Sequence, residues 1–207
     1  MITDGKCTIK YFVVPGGQHF RVGRNGDTGI DAMASAVIAV EKKGGRRCLW
    51  NFVNRRSAAE EIQDRIAHND ELGVYTLLLG PGESVALELG IIFGGDDDWY
   101  AELKPRSSGA NRRISVKNFF DNVPIDSNFR KPPVGLYKNE GMNVIPITMG
   151  WSVSQFVFFC KCCNGSFIKP DLIEVQSVNE LGHTSRGDSW NGSSNPQHFQ
   201  RELALHS

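Results

Sequence analysis

Five short polar clusters hold most of the side chains able to do chemistry: Thr28-Gly29-Ile30-Asp31-Ala32, Pro105-Arg106-Ser107-Ser108, Ile125-Asp126-Ser127-Asn128-Phe129-Arg130, Gly150-Trp151-Ser152-Val153-Ser154-Gln155, and Arg186-Gly187 followed by Gly192-Ser193-Ser194. Together they offer carboxylates, hydroxyls, an amide, arginines and glycines. Guanidinium forks and hydroxyl donors are what a polyphosphate chain demands. A single carboxylate such as Asp126 can orient a water and take its proton. Each cluster also has a plain structural reading. Asp31 can be a turn or capping residue. Arg106 can pair with an acid at a subunit interface, Gln155 can be satisfied inside a strand ladder, and Phe129 can be core. No Gly-rich P-loop, Rossmann fingerprint or Gly-x-Ser-x-Gly elbow occurs in the chain.

Two further groups attract a metal reading. Three of the five cysteines fall in Cys160-Lys161-Cys162-Cys163, but a zinc site wants a second pair of ligands and the nearest histidine is His183. The apolar run before them places these thiols at the end of a buried strand, where cysteine behaves as a small hydrophobe. Reduced thiols fit a cytosolic or phage-infected-cell setting. The acidic run Asp96-Asp97-Asp98 reads as a hairpin tip, because three successive side chains do not easily converge on one ion.

The elements that must position these residues are mostly strands. Val85, Leu87, Leu89 and Ile91 alternate with smaller or polar residues, and Trp99, Ala101 and Leu103 repeat the period of two after a Gly- and Asp-rich turn. Further strand candidates are 10–14, 114–118, 134–137, 144–147, 155–160 and 172–175, separated by Gly- and Pro-rich turns. Many short strands at such spacing predict an all-β barrel or sandwich. One segment departs from this. Ser57-Ala58-Ala59-Glu60 has the form of a capping box, Ile62 and Ile66 lie one helical turn apart, and Asn69 suits a helix stop. Residues 44–71 are therefore expected to be a helical insertion, with Arg46, Arg47, Arg55 and Arg56 on a solvated face rather than touching nucleotide or a partner, the alternative such a basic face leaves open.

Composition bounds the rest. A chain of 207 residues predicts one domain, large enough to hold a core without disulfides or a structural metal. Basic and acidic residues balance at 23 each, which argues against a dedicated binder of nucleic acid or anionic membrane. The longest mostly apolar stretch, residues 32–40, is about half of what a membrane helix needs. No secretory signal is visible, so the expectation is a cytoplasmic chain, or one in the host-cell cytoplasm if viral.

Taken in order, the five clusters resemble the motifs of the trimeric dUTPase family, within the dUTPase and dCTP deaminase superfamily. Thr28 to Asp31 is similar to the first motif, Pro105 to Ser108 to the second, and Ile125 to Arg130 to the third. Gly150 and Gln155 match the ends of the fourth, and Arg186-Gly187 with Gly192-Ser193-Ser194 resembles the fifth. The resemblance implies a mainly β, distorted jelly-roll barrel over residues 1–194 with the insertion at about 44–71. A flexible C-terminal arm and tail would occupy 182–207. It implies Asp126 as the base that activates water to attack the α-phosphorus of dUTP, giving dUMP and pyrophosphate. Phe129 would pack on the deoxyribose, and Arg106, Ser107, Ser108 and Gln155 would contact phosphates. Arg186, Gly192 and Ser193 would belong to the arm closing on the γ-phosphate, with Trp190 placed to stack on the base. Asp31 would support Mg²⁺ indirectly, through water, the ion being held mainly by the triphosphate. The partners implied are a deoxynucleoside triphosphate and two further copies of the chain in a homotrimer, with no membrane and no nucleic acid.

Departures from the family pattern concern the base. Phe120 stands where the family has a uracil-binding Asn, Val123-Pro124 replaces a small Gly before the Ile-Asp pair, and Asn191 replaces the arm aromatic. Ser152 replaces the arginine of the fourth motif. Leu136 stands where the deaminases carry a catalytic glutamate, which argues against deamination. Two alternatives stay open: the same cleavage of another deoxynucleotide (dCTP or a modified pyrimidine), and a non-catalytic protein of this fold that binds nucleotide or a partner.

Overall fold

The computed structural model describes residues 7–19, 29–40, 45–52, 58–70, 73–106, 113–118, 124–162 and 164–182. Short β-rich runs give sixteen strands among them, with two 3-10 helices, Glu60–Arg65 and Val178–Leu181. In chain order the first strands are β1 (Thr8–Val13), β2 (Ile30–Met33), β3 (Ala36–Val40), β4 (Arg46–Asn51), β5 (Ile66–Asn69), β6 (Val74–Leu79), β7 (Ser84–Glu88) and β8 (Ile91–Gly95). Next come β9 (Trp99–Lys104), β10 (Ile114–Asn118), β11 (Ile125–Asp126) and β12 (Val134–Asn139). The last are β13 (Ile145–Thr148), β14 (Ser152–Cys160), β15 (Phe167–Ile168) and β16 (Asp171–Glu174).

Four sheets result, ordered β16-β1-β8, β10-β12-β7-β3-β4, β11-β9-β14-β15 and β13-β6-β5, with β2 added to β14. The sheets share one apolar cluster, to which Ile9, Phe93, Val37, Leu87, Tyr137, Phe156, Leu77 and Ile147 all belong. They therefore enclose one main core, flanked by two small clusters around Ile92 and Ile38, in the barrel-like mainly β arrangement expected. Among the described residues no helix is long and apolar enough to cross a membrane.

The period-two reading holds in β9 and β14. Trp99, Ala101 and Leu103 point inward while Tyr100 and Glu102 are half-exposed. Phe156, Phe158 and Cys160 point inward, and Gln155, Val157 and Phe159 do not. Phe93 meets Phe156 and Phe158 edge-on, with ring centroids 4.9 and 5.3 Å apart. Burying each such ring contributes roughly 1.5–3 kcal/mol, which fixes which face of β14 looks out. On the inner face the Tyr137 and Ser154 hydroxyls lie 2.7 Å apart, joining the β12 and β14 sheets. Gly135 is required beside them: a Cβ there would lie 2.6 Å from the Tyr137 ring.

Two sequence expectations need correction. The alternating run 85–91 is two strands, β7 and β8, in different sheets. The chain breaks at Gly90, where a Cβ would lie 2.6 Å from Gly17 Cα and 2.9 Å from Ser35 Cβ, so only glycine lets it turn there. The acidic run is accordingly a corner between β8 and β9, which do not pair, rather than a hairpin tip.

The helical insertion is the second correction. Residues 46–51 form β4 against β3, and 66–69 form β5 against β6. Among the described residues between them, only the six of the first 3-10 helix are helical. Its N-cap is Ala59, with no side-chain cap, and Ser57 lies outside the described residues. Ile62 is buried, but Ile66 is already extended, because pairing with Leu77 on β6 takes the backbone hydrogen bonds a longer helix would need. Nor is the basic face simply solvated. Arg47 pairs with Glu61 at 2.6 Å near the surface, but Arg46 turns inward to Glu88 at 2.9 Å, with 7% and 9% of the two side chains exposed. Arg46 Nη1 also donates to the Pro132 carbonyl at 2.8 Å. Arg55 and Arg56 lie outside the described residues.

Removing one member of a buried pair strands the other charge. Arg46→Met is expected to lower unfolding stability by about 3–5 kcal/mol, and Arg46→Met with Glu88→Leu to recover most of it. Urea unfolding of both variants checks this; a single-variant loss below about 1 kcal/mol would show that the pair is effectively solvated.

Candidate functional site

Strand β14 gathers three of the five clusters at its N-terminal end. Its Ser152 to Phe156 segment pairs with β2, opposing Gln155 to Asp31, while Gln155 on its other side opposes Lys104 of β9. Arg106 follows two residues after Lys104. Its Nε lies 2.8 Å from Asp31 Oδ1, and its Nη1 donates to the Ser152 carbonyl at 3.3 Å. Ser152 Oγ donates to the second Asp31 oxygen at 3.0 Å. Gln155 Nε2 donates to the Pro105 carbonyl at 3.3 Å. Gly29 completes the group, since a Cβ there would lie 2.6 Å from Gln155 Oε1 and push the amide aside.

Residues 29–31, 105–106 and 152–155 thus form one polar cluster. Arg106 does pair with an acid, but the acid is Asp31 of its own chain. Asp31 is held from two sides, and its side chain is only 15% exposed. The serine that departs from the family pattern is what supplies the second hold on Asp31. This arrangement sets a guanidinium beside an amide on a half-exposed rim, a surface suited to phosphate oxygens.

Asp126 lies elsewhere. It sits on β11, opposite Tyr100 at the start of β9, whereas Gln155 opposes Lys104 at the end of that strand. Four residues of strand separate these positions by about 13 Å, and Arg106 lies beyond. Around Asp126 is a second polar group. Lys161 Nζ is 3.2 Å from Asp126 Oδ1 and 3.5 Å from Ser127 Oγ, and Ser127 Oγ donates to Asp97 Oδ1 at 3.3 Å. The Phe129 amide donates to the Asp126 carbonyl at 2.9 Å, closing the turn. Arg130, 4% exposed, anchors that turn by donating to the carbonyls of Phe93, Ser127 and Leu181. Its burial lowers the guanidinium's pKa, and the nearby Asp97 carboxylate opposes that. Phe129 packs half-buried on the main core cluster.

Lys161 is a residue the sequence reading passed over, since Cys160-Lys161-Cys162-Cys163 was weighed for its thiols. Cys160 is fully buried, as a strand-end cysteine should be, while Cys162 is exposed. No group of three or more His, Cys, Asp or Glu able to hold a metal ion occurs among the described residues. Ser107, Ser108, Phe120, Val123, Arg186, Trp190, Asn191, Gly192 and Ser193 lie outside the described residues. Leu136 is in place on β12, between Ala86 and Lys117.

No protein-family model matches the chain, and no curated protein matches it. Among solved structures, native EIAV dUTPase is 12% identical, with 79% of this chain and 96% of that one covered at a TM-score of 0.47. A mutant dUTPase from phage phi11 of S. aureus, described with a structural Mg(II) ion, is 11% identical over 82% of this chain and 97% of that one, at 0.48. A mutant dUTPase of phage 80alpha is 13% identical over 88% and 98%, also at 0.48. In the order of its motifs the chain resembles the trimeric dUTPase family, and in the course of its backbone it is similar to these dUTPases.

Proposed function

We propose that this chain is a homotrimeric nucleoside-triphosphate pyrophosphatase that hydrolyses dUTP to dUMP and pyrophosphate. The observation that carries the reading is the meeting of Asp31, Arg106, Ser152 and Gln155. These residues come from three clusters far apart in sequence; the resemblance assigns Arg106 and Gln155 to the phosphate side of one site and Asp31 to its metal end, while Ser152 stands where the family has an arginine. Asp126 is the base: it takes a proton from water as the water oxygen bonds to the α-phosphorus and the bond to the pyrophosphate leaving group breaks. Lys161 fixes Asp126 through Oδ1. Arg106 and Gln155 meet the negative charge of the triphosphate. Ser107 and Ser108 add phosphate contacts, and Arg186, Trp190, Gly192 and Ser193 close the site from the C-terminal arm.

The separation of Asp126 from Arg106 within one chain supports the trimer. A base and a phosphate clamp at opposite ends of β9 are what sites shared between neighbouring subunits would use. Asp31, oriented by Arg106 and Ser152, would support through a water shell a hydrated Mg²⁺ carried by the triphosphate. Bound there, Mg²⁺ would neutralise phosphate charge.

Pyrophosphate release with Mg²⁺ from dUTP, dCTP, dTTP and UTP tests the reading. Selective dUTP turnover is expected. Turnover of another deoxynucleotide would keep the mechanism and move base selection to Phe120, Val123 and Pro124. Turnover of none would favour the binding protein.

A further inference from the structure

Two thiols and the cation that holds Asp126 share one turn. Cys160 Sγ and Cys162 Sγ are 2.9 Å apart. The lysine between them reaches Asp126 Oδ1 at 3.2 Å. The turn is already built: the Lys161 amide donates to the Asp98 carbonyl at 2.7 Å, Cys160 N to Ser166 O at 2.9 Å, and Gly165 N to Cys160 O at 3.0 Å. Asn164 and Gly165 take the left-handed conformations that a tight reversal needs, at φ 53° and 73°. A disulfide bond is about 2.04 Å, so bridging these sulfurs asks for an approach of about 0.9 Å. Cys162 is exposed to an oxidant and Cys160 waits behind it. Cys7, the other buried thiol, is pushed up to about 11 by burial and by nearby acidic groups and thiols, so it stays protonated at neutral pH.

We propose that Cys160 and Cys162 form an oxidisable dithiol site for peroxides, and that its closure slows the hydrolysis proposed above by fixing Lys161 on Asp126. The coupling rests on that reading; the bridge itself does not. The Cys162 thiol gives up its proton and the thiolate attacks one peroxide oxygen: an S–O bond forms, the O–O bond breaks, and the leaving oxygen takes up that proton, departing as water when the oxidant is hydrogen peroxide. Sulfur loses two electrons and peroxide gains them. The Cys160 thiol then attacks the Cys162 sulfenic sulfur. The S–S bond forms, the S–O bond breaks, and the Cys160 proton leaves with the hydroxyl as a second water. The resulting small ring contains both peptide bonds of Lys161. In the reduced chain the ammonium can turn from Asp126 to an incoming phosphate; the ring removes that freedom and keeps a cation against the base.

The test uses the full chain with Cys163→Ser, so that a bridge within the peptide bearing residues 160–162 has one assignment and a bridge to Cys7 would instead link two peptides, treated with hydrogen peroxide and then dithiothreitol. Peptide mass spectrometry is expected to show the peptide bearing Cys160 and Cys162 losing two hydrogens and regaining them on reduction. The bridged protein should lose roughly tenfold in kcat on dUTP, part of the 10²–10⁴-fold a general base supplies. Adding Cys162→Ser should leave activity insensitive to peroxide. Acetylation of Lys161 by acetic anhydride, read by mass, should slow on bridging. Sulfinic acid at Cys162 in place of a bridge would overturn the site. A bridge with unchanged kcat and unchanged Lys161 acetylation would overturn the coupling. If the reduced protein hydrolyses no nucleotide, the proposed function fails, while the bridge and the Lys161 footprint still decide this proposal.

Discussion

Asp126→Asn is expected to reduce pyrophosphate release from dUTP by about 10²–10⁴-fold in kcat, the span a positioned general base supplies. The amide keeps the shape of the carboxylate but cannot take a proton from water, so the loss should fall on kcat while nucleotide affinity stays within about threefold. Stability should hardly move. The Lys161–Asp126 pair lost in the variant is 37% and 32% exposed on its two side chains, and such pairs are worth about 0–1 kcal/mol. Steady-state kinetics, nucleotide titration and thermal melts of the variant beside the native chain separate these effects. A variant keeping more than about a tenth of native kcat would remove Asp126 from the chemistry, because a solvated amide has no means of replacing a base.

The second large effect concerns assembly. If Asp126 and Arg106 serve one nucleotide from different subunits, trimers of Asp126→Asn alone and of Arg106→Ala alone should each be inactive. Mixed trimers should regain activity. With random mixing, each site draws a native Asp126 from one subunit and a native Arg106 from another, so about a quarter of sites become whole. Unfolding and refolding an equal mixture, then measuring pyrophosphate release, reads this against the unmixed variants. No recovery would mean that one chain supplies both groups, and the separation along β9 would then no longer support the trimer. Arg106→Ala also removes the partner of Asp31, so the recovery, rather than the single-variant loss, carries the inference.

What the amino-acid sequence determined was local in origin. The alternation in β9 and β14 was legible because a strand's period is two and one face must be buried. Cys160 could be placed inside for the same reason. The order of five polar clusters carried the resemblance that put Asp31, Arg106 and Gln155 in one candidate site, and the fold sets the three close together, with Arg106 paired to Asp31 of its own chain. The 44–71 segment misled because a capping pattern and two isoleucines one turn apart are helix signals that β-pairing with β3 and β6 overrides. The break at Gly90 was hidden by an unbroken alternation, since the glycine is required by Gly17 and Ser35, residues distant in sequence.

The tertiary structure alone decided the roles of Ser152, Arg130 and Lys161. Ser152 looked like a loss from the fourth motif and is a hydrogen-bond donor to Asp31. Arg130 draws carbonyls from three separate segments to itself, and Lys161 joins a turn after β14 to a strand that begins far earlier in the chain. Periodicity, caps and turns are written into neighbouring residues because they depend on local backbone geometry. An ion pair or a buried arginine depends on which strands lie side by side, and that follows only from closing the whole core.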